Sequence, residues 1–148
     1  EVQRLAEQVD LETLLEQSDI VVLHCPMSEQ NYHMINAGTI QKMKPGALLV
    51  NTARGGLVDT KAVYEALQSG RLGGFAMDVY EYEDQTARKD YRGKQLDDPL
   101  LASLLAMDQV IFTTHTAFYT DQAIENIVES SLENLNSFFR TGESENEI

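Results

Sequence analysis

The amino-acid sequence predicts an α/β fold, a parallel sheet of four short strands interleaved with helices and followed by one long C-terminal helix. Three observations carry that expectation. Apolar residues gather in short, β-branched runs, and helix-period stripes with caps and stop signals lie between them. The last apolar pattern then continues at three- and four-residue steps from Thr120 to Gly142. Strand alternating with helix implies parallel pairing through right-handed crossovers.

The expected strands are DIVVLH (19–24), ALLVNT (47–52), GFAMDV (74–79) and QVIFTT (109–114). Their apolar character is nearly continuous rather than alternating, as in strands covered on both faces. INAGTIQKM reads as a helix that ends at Lys44-Pro45-Gly46. In DTKAVYEALQSG, Asp59 or Thr60 can cap, Ala62, Val63, Ala66 and Leu67 form one stripe, and Ser69-Gly70 ends it. DDPLLASLLAM starts on Asp97 or Asp98 with Pro99 in the first turn. The polar, charge-rich segment YEYEDQTARKDYRGKQLDD before it is long for a connection, which marks a functional or mobile loop. In the final helix Ala123, Ile124, Ile127, Val128, Leu132, Leu135, Phe138 and Phe139 share a stripe, Gly142 stops it, and ESENEI reads as a frayed tail.

With 148 residues the chain suits one domain. A net charge of −13, from 24 acidic against 11 basic side chains, argues against nucleic acid or an anionic membrane as partner. It leaves room for a small anionic substrate met by a local cation. The single cysteine, Cys25, excludes an internal disulfide and points to a reducing, cytoplasmic compartment. No apolar run approaches the ~20 residues of a membrane span, and no clustered Cys/His spacing implies a metal. The chain opens without Met in mid-pattern, as a fragment or a processed chain would.

Ligands of open parallel sheets bind beyond the carboxyl ends of the strands. That rule collects His24, Cys25 and Pro26; Thr52, Ala53 and Arg54; Asp78, Tyr80, Glu81 and Glu83; and Thr114, His115 and Thr116. Singly, each has a plain explanation. An arginine after a strand is usually a surface group, and a strand-end histidine such as His24 is usually structural. Glu81, Glu83 and Asp84 can be a solvated loop, Cys25 a small apolar group, and His33 a cap or packing residue at a helix start. The phenylalanines and Met43 are core by default. Together, an arginine, several carboxylates and a histidine on one rim are more informative. In LLVNTARGGLVD the guanidinium, forked for carboxylates, precedes a glycine doublet expected to make a sharp turn with unusual backbone angles.

LLVNTARGGLVD, AMDVYEYE and TTHTAF, in that order, together with SDIVVLHCP, NYHMI and KMKPGALLVN, resemble the D-isomer-specific 2-hydroxyacid dehydrogenases from about Leu11 to the C-terminal helix. The HTAFYT form is most similar to the D-lactate and D-2-hydroxyisocaproate branch. The resemblance implies hydride transfer between NAD and a 2-keto or D-2-hydroxy acid, with pyruvate and D-lactate expected, by a homodimer. It makes Arg54 the binder of the substrate carboxylate, His115 the general acid/base and Glu83 its acid partner. Glu83 is preferred to Glu81 because the family's glutamate is the second in the D-V-Y-E-x-E pattern. Pro26, Thr52, Ala53 and Asp78 would line the cofactor, and Phe118 and Tyr119 would sit near the substrate. Residues 1–116 would form the second half of a Rossmann-like cofactor domain, and 117–148 a helix returning to a missing substrate domain. The family's G-x-G-x-x-G and the acidic residue that reads the ribose have no counterpart in this chain. A non-enzymatic, NAD-sensing corepressor-like relative, or a piece inactive on its own, are the alternatives.

Overall fold

The computed structural model describes residues 6–86, 94, 96–144 and 146. It divides into two compact units, Glu1–His115 and Thr116–Ile148. In chain order the first unit holds α1 (Leu11–Gln17), β1 (Ile20–Leu23), α2 (Ala37–Ile40), β2 (Ala47–Asn51), a 3-10 turn (Gly55–Leu57), α3 (Thr60–Gln68), β3 (Leu72–Met77), α4 (Glu83–Thr86), α5 (Pro99–Leu105) and β4 (Val110–Phe112). The second unit is built on α6 (Asp121–Thr141).

The helix starts follow from short polar side chains that accept from the orphan amides of the first turn. Asp59 accepts from Ala62 N, and Asp98 accepts from Leu100 and Leu101 N with Pro99 inside the first turn. Asn36 and Thr39 form a reciprocal capping box at α2. At the far end of α6, Gly142 adopts the left-handed φ of 77° that closes a helix. Helix α1, capped by Asp10, has no counterpart among the expected elements. The polar segment after β3 contains a further short helix, α4, and its residues 87–93 and 95 lie outside the described residues.

The four strands form one parallel sheet in the order β1-β2-β3-β4, so every strand ends on the same edge. Each ends earlier than its apolar run, because the residues after Leu23, Asn51, Met77 and Phe112 leave the ladder. Strand β3 begins earlier than expected, at Leu72, and it needs a glycine to do so. A Cβ at Gly73 would lie 2.3 Å from the carbonyl oxygen of Gly46.

The core lies on one face of the sheet. Helix α3 packs on β3 and α5 on β4, burying Leu49, Leu57, Val63, Leu72, Phe75, Met77, Leu101 and Leu104. The predicted stripe Ala62, Val63, Ala66 and Leu67 is buried throughout, each large side chain contributing about 1.5–3 kcal/mol by leaving water. Among the described residues of this unit, coverage of both faces does not hold. Burial alternates along β1 and β2, and Ile20, Val22, Leu48 and Ile111 stand exposed, the last at 67%. The continuous apolar runs therefore provide for a second cover that the described residues of this unit do not supply. The stripe of α6 is likewise uncovered, with Phe139 at 83% exposure and no buried residue in the helix. Phe118 and Phe138 are exposed as well, against the expectation that the phenylalanines are core, whereas Met43 is buried. No helix of the described residues is long and apolar enough to cross a membrane.

Candidate active site

The rim is built from turns that begin where the strands stop. At the end of β2, Asn51 is buried and uses its whole amide locally. Its Nδ2 donates to Arg54 O at 2.9 Å, its Oδ1 accepts from Ala53 N at 3.1 Å, and its carbonyl accepts from Asp78 N at 3.0 Å. This side-chain-closed turn presents Arg54. The arginine is exposed, and its Nη1 donates to Ala53 O at 2.7 Å. Among the described residues no carboxylate pairs with its guanidinium.

The glycine doublet after Arg54 has a reason other than backbone angle, since neither Gly55 nor Gly56 has a positive φ. A Cβ at Gly55 would stand 2.2 Å from Tyr80 O and 2.5 Å from Glu81 N. One at Gly56 would stand 2.5 Å from Met27 Sδ and 3.2 Å from the Tyr32 ring. The doublet lets neighbouring segments press on the loop from two sides.

At the end of β3 the chain is held at every step. Asp78 is buried, its Oδ1 accepts from Thr113 Oγ1 at 2.5 Å, and its carbonyl accepts from His115 N at 2.7 Å. Tyr80 is buried and its hydroxyl donates to Asp98 at 2.6 Å; burial, then that carboxylate, push its pKa up. Glu83 opens α4. Its Oε2 accepts from Tyr80 N at 3.3 Å, and its Oε1 lies 3.3 Å from His115 Nδ1. The two side chains remain partly open, at 29% for Glu83 and 49% for His115. His115 has a φ of 56°, a left-handed conformation uncommon outside glycine.

Glu81, two residues before Glu83, turns the other way. Its side chain is 3% exposed, and its Oε1 lies 2.5 Å from His33 Nε2 and accepts from Tyr32 Oη at 3.2 Å. Its Oε2 accepts from Thr60 N at 3.1 Å, at the start of α3. Burial pushes this carboxyl's pKa up, but the bonds from Thr60 and His33 outweigh it and hold the pKa below the ordinary value.

The structure thus brings Glu83, His115 and Asp78 together and sets the Arg54 loop against Tyr80–Glu81. Phe118 and Tyr119 belong to the second unit, where their exposed rings meet edge to face at 6.1 Å. Sequence reasoning passed over Asn51 as the end of an apolar run, although an Asx residue before a turn is a recognisable signal. His33 reads in the sequence as a cap or packing group, and nothing local joins it to Glu81, 48 positions away.

Of the residues expected to line a nicotinamide cofactor, Pro26 and Thr52 are exposed after the ends of β1 and β2, Ala53 is half-buried, and Asp78 is buried at the end of β3. His24 is exposed, and Cys25 packs partly buried against the core. The residues present suit the reactive end of a dinucleotide; a glycine-rich cradle for its pyrophosphate is not in the sequence.

Comparison with known proteins bears on the family and the fold. Residues 1–117 match the D-isomer specific 2-hydroxyacid dehydrogenase, NAD binding domain family. The D-lactate dehydrogenase kk1H of Curvularia clavata is 48% identical over 135 residues, covering 91% of this chain and 39% of that protein. The structure of a D-lactate dehydrogenase from Sporolactobacillus sp superposes with a TM-score of 0.94 at 35% identity, covering 99% of this chain and 44% of the other. That of the Aquifex aeolicus D-lactate dehydrogenase complexed with NAD and lactic acid gives 0.79 at 38%, covering 89% and 40%. The chain therefore spans about two-fifths of the length of these relatives. With its matched sequence, its parallel sheet and the residues on its rim, the chain belongs to the D-isomer specific 2-hydroxyacid dehydrogenase family, through that family's NAD binding domain.

Proposed function

We propose that the whole protein is an NAD-dependent D-2-hydroxyacid dehydrogenase that interconverts a 2-keto acid and a D-2-hydroxy acid, with pyruvate and D-lactate as substrates. The observation that carries the reading is the Glu83–His115 pair at 3.3 Å, on the same sheet edge as an arginine with no carboxylate partner among the described residues. The choice of pyruvate draws its support from the D-lactate dehydrogenases that resemble the chain. None of the relatives reported favours the corepressor-like alternative. Homodimeric assembly and a cytoplasmic location belong to the same proposal, supported by the family resemblance and the single cysteine.

When bound, the nicotinamide supplies or accepts the hydride. The residues of this chain do the rest. Arg54 grips the substrate carboxylate by two parallel hydrogen bonds and so selects the carbonyl face. In reduction, His115 as imidazolium gives its proton to the carbonyl oxygen; in oxidation, neutral imidazole takes the hydroxyl proton. The Glu83 carboxylate holds the ring through Nδ1, leaving the other nitrogen for substrate. Pro26, Thr52, Ala53 and Asp78 wall the nicotinamide side; the family resemblance assigns Phe118 and Tyr119 to the substrate. NADH oxidation by the whole protein, with pyruvate and branched 2-keto acids and chiral analysis of the product, tests the proposal. D-lactate formation is expected. Absence of turnover with every 2-keto acid, or an L-product, overturns it.

A further inference from the structure

We infer that His33 and Glu81 are positioning residues for Arg54: their contact closes a clasp around the loop that carries it. The inference rests on the reading of Arg54 as the carboxylate binder. The loop from Arg54 to Asp59 runs between two segments from elsewhere in the chain. On one side, His33 N donates to Gly56 O at 2.9 Å, Ile35 N to Leu57 O at 3.0 Å, and Asp59 N to Ile35 O at 2.8 Å. On the other, the Tyr80–Glu81 backbone lies where a Cβ of Gly55 would be, and Glu81 Oε2 accepts from Thr60 N. The His33–Glu81 contact at 2.5 Å joins the two sides. Because the carboxylate is ionised and can only accept, His33 Nε2 is the donor.

Tyr32 completes the clasp. Its ring stacks on His33 at 3.9 Å, its hydroxyl reaches the same Glu81 oxygen, and it borders Gly56. His33 holds a φ of 51°, a conformation that persists in a non-glycine residue only where its surroundings hold it. A forked guanidinium needs angular accuracy, and a small backbone displacement beneath it degrades alignment. Loosening the clasp therefore weakens the grip on the keto acid and leaves proton transfer at His115 alone.

The test is steady-state kinetics of the whole protein with pyruvate and NADH for Glu81→Gln, His33→Ala, their double mutant and His33→Gln, beside Arg54→Lys. Glu81→Gln and His33→Ala are each expected to raise the keto-acid KM about tenfold, with kcat changed by less than about threefold. The NADH KM and both limbs of the pH–rate curve stay where they are. Glu81→Gln has one acceptor oxygen to offer where the carboxylate serves His33 and Thr60 with two, so its effect overlaps that of His33→Ala and the double mutant falls short of the product of the single effects. His33→Gln, whose amide can still donate to Glu81, recovers most of the loss. If Glu81→Gln fails to fold, His33→Ala carries the test, because His33 is 29% exposed. An unchanged keto-acid KM in folded His33→Ala, while Arg54→Lys raises it, overturns the clasp and leaves the proposed function standing. So does an equal rise in both Michaelis constants, which marks general loosening. An unchanged KM in Arg54→Lys overturns the carboxylate-binding reading and the clasp with it.

Discussion

Two histidine–glutamate pairs stand two residues apart on the segment that leaves β3, and they are built in opposite ways. Glu81 and His33 meet at 2.5 Å around a carboxylate that is 3% exposed and has two further donors. Glu83 and His115 meet at 3.3 Å, with both side chains partly open. Both histidines have left-handed backbones, φ 51° and 56°. The closed pair has its partners within this chain and suits a structural task. The Glu83–His115 pair is the more exposed of the two, which suits the proton exchange with a ligand proposed for it. The same two side-chain types thus make one enclosed pair and one open pair.

The comparison can be broken most severely by removing what lies outside the chain. Residues 1–148 alone are expected to show no saturable NADH binding at submillimolar concentration, because they contain no glycine-rich pyrophosphate turn. Tight stoichiometric binding in a calorimetric titration would refute that expectation. The next largest effect is at the open pair itself. In the whole protein, His115→Asn is expected to lower kcat for keto-acid reduction by about 10²–10⁴-fold, the span of one general acid. Arg54→Lys keeps the charge and loses the fork, so it should raise the keto-acid KM and lower turnover while NADH affinity holds.

Replacing one glutamate at a time sharpens the contrast. Glu83→Gln removes the carboxylate that lies against His115 Nδ1 and holds the ring, so kcat of keto-acid reduction should fall about tenfold while the keto-acid KM holds. Glu81→Gln should leave kcat nearly in place. A fall in kcat in Glu81→Gln without one in Glu83→Gln would transfer the proton-relay role to Glu81.

The smallest effect is on stability, and its sign follows from the lowered pKa of Glu81. A carboxyl whose folded value lies below its ordinary 4.5 stabilises the fold above that pH and loses its contribution as pH falls through the folded value. His33→Ala or Glu81→Gln should cost about 1–3 kcal/mol in urea unfolding at neutral pH. The gap to the parent should close in acid. Glu83→Gln, at a partly exposed pair, should stay within about 0.5 kcal/mol.

Much of this architecture is legible locally. Asp59 and Asp98, each one of two adjacent candidates, cap their helices, Pro99 and Gly142 bound helices, and the stripe on α3 is buried. These features depend on residues within one or two turns of each other. The stripe on α6 is as regular, yet none of it is buried, because periodicity specifies a face and not what covers it. The sheet shows the same limit: continuous apolar runs announce two covered faces, and α3 and α5 cover one.

By itself the sequence determined the α/β class, the strand ends that form the rim, and the residue types gathered there. Tertiary structure alone decided the division of labour among them. Glu81 and Glu83 are the same side chain two positions apart, and no local pattern says which turns inward. Thr60 N and His33, brought from 21 and 48 residues away, draw Glu81 into the protein. The Gly55–Gly56 doublet, which reads as a turn, is a packing site whose partners Tyr80 and Tyr32 come from distant segments. Contacts at such separation cost chain entropy to form and leave no periodic trace in the sequence, so the fold must exist before they can be seen.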